Sequence, residues 1–148
     1  MRFSRNKNPY KNNFGAFFVP GGKGSGNAGY YVHIEPNRCA IAGGLYHPPK
    51  EKLDTLRQRL LDDNTTLPSI IKNKKFIQYF KDIDRDHSLK IRPVGYDQNH
   101  PRIDLIKLKS FTVWKPISEA QTRKKDFQPV ICDHFDAMED FINWLNQS

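Results

Sequence analysis

Between Phe14 and Gly43 the chain offers three strand-like runs joined by connections too short to hold a crossover helix. Neighbouring strands there can pair only antiparallel. The first run, Phe14 to Val19, is aromatic and small, and Pro20 and the stretch GGKGSGNAG end it. In the second, Tyr30 to Glu35, residues Tyr31, His33 and Glu35 alternate with Tyr30, Val32 and Ile34, which gives one packed and one wet face. The turn Glu35-Pro36-Asn37 leads into the third run, Arg38 to Gly43.

Helical signals follow. Pro48-Pro49 suits a first helical turn, and Leu53, Leu56, Leu60 and Leu61 recur at helical spacing up to about Asp63. A second helical region starts near Thr66 and Pro68 and runs to Phe80, with a break near Lys72 to Lys75. His87 to Pro93 reads as extended, Pro93 to Tyr96 as a turn, and His100-Pro101 as the opening of a short helix. Phe111 to Trp114 is a fourth strand, and Ser118 with Gln121 matches a capping box. Ile131, Phe135, Met138, Phe141, Ile142 and Leu145 form the single apolar stripe of a last helix.

The expected class is therefore α+β, a small antiparallel sheet of about four strands packed against several helices. The 148 residues suit one domain, 1–148, with no internal repeat or linker. No run reaches the length of a membrane helix and the opening MRFSRNKNPYK lacks a signal-peptide core, so the cytosol is the expected compartment and no membrane partner is implied. Cys39 and Cys132 have no paired spacing, which predicts two buried thiols and neither a disulfide nor a zinc site.

Charge is the strongest functional hint. The chain carries a formal +8, and Arg2, Arg5, Lys7, Lys11 and Lys23 all precede its first acid, Glu35. Such a field favours nucleic acid, a phosphate-bearing ligand or an acidic partner. Arg57 falls among the leucines of its helix, where a guanidinium either makes an internal contact or anchors an anionic ligand. His47 and His100 each precede a proline, which requires extended backbone there; His100 has Asp104 and Lys107 on neighbouring helical turns. Gly24 to Gly29 spells G-x-G-x-x-G, but it opens a strand where a dinucleotide site needs a helix, so no cofactor follows. Nucleophile-elbow and metal-helix motifs are missing from the sequence.

Phe3-Ser4-Arg5-Asn6-Lys7-Asn8-Pro9-Tyr10-Lys11 resembles the F-S-K-D-K-x-P-Y-K signature of the domain-of-unknown-function family numbered twenty-four sixty-one. Gly44-Leu45-Tyr46, Pro48, Leu53, Leu56 and Arg57 resemble its second block. Pro93, Gly95-Tyr96-Asp97, His100-Pro101 and Asp104 to Lys107 resemble its third. Arg5 and Asn6 stand where the family usually has Lys and Asp. The resemblance carries no catalytic residue. It implies a helical stretch before the first block, so a shortened chain, or a partner that supplies that stretch in trans, is an expectation. Exposed Phe3 and Phe14 would accompany it.

Two functions are expected. The first is a binding module for an anionic ligand, phosphate-bearing or nucleic acid, with Arg5, Lys7, Lys11 and Arg57 supplying charge and Tyr10, Tyr31 and Tyr96 supplying stacking faces. The alternative is an enzyme acting on a small acidic molecule, with Tyr10, His33, His100, Asp104 and Lys107 converging on one pocket.

Overall fold

The computed structural model describes residues 14–22, 24–123 and 127–147. Four strands, β1 (Phe14–Phe18), β2 (Gly29–Ile34), β3 (Cys39–Leu45) and β4 (Phe111–Ile117), form one antiparallel sheet in the order β1-β2-β3-β4. The described residues form six helices, α1 (Lys50–Asp62), α2 (Thr66–Ile71), α3 (Lys74–Phe80), α4 (Ile103–Ile106), α5 (Glu119–Thr122) and α6 (Phe127–Asn146). Helices supply more residues than strands, as the α+β expectation requires. None of them is long and apolar enough to cross a membrane, among the described residues.

Register assigns the two sheet faces. Across the strands, Ala16, Val32, Ile41 and Lys115 form one row and Phe17, Tyr31, Ala42 and Trp114 the next, so these rows look in opposite directions. Helix α6 covers the first face. Met138 lies directly over Gly43, where a Cβ atom would collide with its Sδ, and the Phe135 ring packs on Tyr30 at 4.7 Å. The α6 stripe brings Phe141, Ile142 and Leu145 fully into the core. Burying each such side chain stabilises the fold by about 2 kcal/mol.

Several local expectations are refined. Asn73 splits the second helical region: its Oδ1 accepts from the Lys75 backbone N–H at 2.9 Å and starts α3. Strand β4 continues through Pro116 to Ile117, because an edge strand tolerates a residue without an N–H. His47 has φ 45, so its backbone is left-handed where a residue before proline was expected to be extended. Its N–H donates to Ser110 Oγ at 2.8 Å, a contact that ties the β3 exit to β4 and holds the turn. Cys39 is buried as expected, but Cys132 is exposed, because it lies off the apolar stripe of α6.

Candidate functional site: a trough on the open face of the sheet

No described helix lies over the second sheet face. Along β3 the residues that look outward are Ala40, Ala42 and Gly44, which leaves the middle of that face almost without side chains. Gly44 has φ 120, and a Cβ there would run into the Phe111 carbonyl oxygen, so this floor cannot carry anything larger. The flanking strands carry large aromatics, Phe17 and Tyr31 on one side and Trp114 on the other. The result is a recess of about 310 Å³, floored by Ala42 and Gly44 and closed at one end by Tyr46 and Asp84.

The walls are held in place. Phe17 and Tyr31 stack with centroids 4.5 Å apart. The Tyr31 hydroxyl is 2.8 Å from His33 Nδ1, and His33 Nε2 is 2.7 Å from Glu35 Oε1, so three successive outward residues of β2 form one hydrogen-bonded chain. A carboxylate only accepts, so Nε2 donates to Glu35, and in that tautomer Nδ1 accepts the hydrogen bond that the Tyr31 hydroxyl donates. Arg38, just before β3 at the end away from Tyr46 and outside the lining of the recess, places its guanidinium 5.9 Å from the Trp114 ring centroid, and the His33 ring lies 6.1 Å from that same indole. Trp114 is 42 % exposed, an unusual position for indole on a strand.

Tyr31 and His33 are the residues expected from sequence that reach this face. Arg5, Lys7, Tyr10 and Lys11 lie outside the described residues, as does Phe3. Arg57 is buried and donates from Nε to the Ile106 carbonyl at 2.7 Å and from Nη2 to the Leu108 carbonyl at 3.2 Å. The second and third sequence blocks therefore meet, through a guanidinium that fastens α1 to the end of α4 and the segment just after it. Burial pushes the Arg57 pKa down, while Tyr96 and Asp54 nearby push it back up. Tyr96 packs against the core.

His100 Nδ1 accepts from the Arg102 backbone N–H at 3.0 Å and so caps its own turn. Asp104 pairs with Arg85 at 3.0 Å, and the Lys107 carbonyl receives the Leu89 N–H at 2.8 Å. None of Arg57, Tyr96, His100, Asp104 or Lys107 lines the trough. The residues that sequence reading missed are Glu35, Arg38, Asp84 and Trp114. Small residues at alternate positions 40, 42 and 44 were the available signal for the floor.

Among the described residues no group of histidine, cysteine and acidic side chains could hold a metal ion. No curated protein and no solved structure matches the chain. A family model described as "Conserved hypothetical protein (DUF2461)" matches residues 1–144. The chain belongs to that family, in agreement with the three sequence blocks that resemble it.

Proposed function

We propose that this chain is a binding module for an anionic, ring-bearing ligand, and that the ligand is single-stranded nucleic acid that inserts a base into the trough. The observation that carries the reading is the row Phe17, Tyr31, Ala42, Trp114, in which a side-chain gap sits between two aromatic walls. Tyr31 and Trp114 stand two strands apart, about 9.6 Å between backbones at ordinary strand spacing. A base about 3.4 Å thick, stacked on the Trp114 ring, would lie over Ala42 with Tyr31 as the facing wall. Stacking on aromatic faces of an open antiparallel sheet is a recurrent way of holding unpaired bases.

Polarity along the trough supports an orientation. Arg38 at one end suits a phosphate, and the half-buried Asp84 at the other suits an exocyclic amine or ring N–H. The formal charge of +8 supplies the long-range attraction. The test is fluorescence anisotropy of a labelled oligothymidine across a salt series. Binding should weaken steeply with salt, and Trp114→Ala and Tyr31→Ala should each weaken it about tenfold or more, in line with the cost of losing one stacked base. Salt-sensitive binding that both variants retain would remove the trough from the reading.

A second reading, an enzyme on a small acidic substrate, draws support from the Tyr31-His33-Glu35 chain alone. There Tyr31 would be the proton-transferring group and His33 its relay to Glu35. Turnover that disappears in Tyr31→Phe, with the ligand still bound, would favour this reading over simple binding.

A further inference from the structure

A second recess, of about 350 Å³, opens on the other side of the sheet where α3, β4, α5 and α6 meet. Polar side chains line it, in a place where helices packed on a sheet ordinarily present apolar ones: Gln78, Lys115, Gln121 and His134. Lys115 is the anomaly. Register puts it beside Ile41 on the helix-covered face of the sheet, and it makes no ion pair among the described residues.

His134 is 7 % exposed. Its Nδ1 is 2.7 Å from the Val130 carbonyl, which can only accept, so the proton sits on Nδ1 and the lone pair on Nε2. That lone pair has no hydrogen-bond partner among the described residues. Burial first, with Lys115 adding to it, pushes the imidazole down against the opposing pull of the Val130 carbonyl and Asp133. A neutral His134 therefore offers an acceptor. Gln121 gives its carbonyl oxygen to the Ser118 N–H at 3.2 Å, which leaves its amide hydrogens as donors. Tyr79, edge-on to His134 at 4.8 Å, and Ile117 supply apolar wall.

We infer that this recess binds a small anion that carries a hydroxyl group. The anionic group faces the Lys115 ammonium and the Gln121 amide, and the hydroxyl donates to His134 Nε2. A carboxylate and a phosphate ester share this chemistry, and the test separates them. The imidazole signals of His134 are followed by NMR while glycerate or glycerol 3-phosphate is added, with propionate (charge without hydroxyl) and glycerol (hydroxyl without charge) as controls.

Saturable shifts are expected with at least one of the two hydroxylated anions, and the one that acts fixes the anionic group. Propionate should bind about tenfold more weakly or worse, the scale of one lost hydrogen bond to a buried acceptor. Lys115→Met should abolish the shifts, and Gln121→Leu, which removes the amide donors, should weaken them if Lys115→Met fails to fold. Trp114→Ala should leave them unchanged, which separates this site from the trough. Absence of saturable shifts with both anions, a propionate affinity closer than that, or shifts that survive the first variant, or the second where it stands in, would overturn the inference.

Discussion

The Tyr31 ring lies across Gly15: a Cβ atom at residue 15 would stand 2.5 Å from the Tyr31 hydroxyl and 2.9 Å from its ring. The two residues belong to neighbouring strands, Gly15 opposite His33 in register, so the tyrosine leans over β1 and its hydroxyl reaches His33. One wall of the trough thus exists because a side chain is missing from the adjacent strand.

Gly15→Ala should therefore displace the Tyr31 ring and break its hydrogen bond to His33 while leaving the fold intact. Nuclear Overhauser contacts between Tyr31 and Phe17 report the ring position. They should weaken in the variant, and oligonucleotide affinity should fall with them; unchanged contacts would show that β1 can yield instead.

Arg57 has a different consequence. Its guanidinium satisfies two backbone carbonyls from a site only 6 % exposed, so removing it strands both acceptors in a poorly solvated place. Arg57→Ala should cost about 3 kcal/mol of stability by urea denaturation. Arg57→Lys should recover less than half, since an ammonium cannot span the fork that meets both carbonyls. A near-normal lysine variant would contradict the clamp.

Asp63 contributes to the acid side of the stability profile. Its carboxylate accepts from the backbone N–H and the hydroxyl of both Thr65 and Thr66 at the start of α2. Those bonds, the Thr66 hydroxyl first, hold its pKa well below the usual carboxylate range. A carboxylate with a depressed folded pKa stabilises fully above its unfolded value, about 3.9, and loses that contribution as pH falls towards the folded one. Asp63→Ala should accordingly be less stable than the parent at pH 6, with the gap closing as the pH falls below about 3.9. A pH-independent gap would contradict this account.

His134 acts in the same sense but nearer neutrality. Its pKa is lowered chiefly by burial, so the unfolded chain takes up the proton first as pH falls below about 6.5. Stability should drop through that window until the folded imidazole is protonated too. His134→Gln should flatten this slope between pH 7.5 and 5.5 in urea denaturation, and an unaltered slope would assign the titration to another group.

Much of the fold was legible because its signals are local. Short connections and the 3–4 spacing of α6 follow from backbone geometry, and the structure repeats them; β2 packs Tyr30 and Ile34 against the core, but its other side is half-buried where a wet face was expected. The site was less legible because it depends on register. Tyr31 and His33 were visible as the wet side of one strand, but Trp114 joins them only through pairing of β3 with β4 across Ala42. Asp84 comes from an irregular segment whose N–H pairs with the Thr112 carbonyl, and no periodicity announces it. Arg57 was recognised as an odd cation on an apolar face, yet its partners are carbonyls about fifty residues on, which no spacing rule predicts.

The most direct test of the trough is a map of backbone amide shifts as a short oligothymidine is added. The account predicts saturable shifts at Ala40, Ala42, Gly44 and Trp114, together with the Trp114 indole N–H, and little change along α6. Shifts confined to other surfaces, with the β3 floor and Trp114 unmoved at saturation, would contradict it.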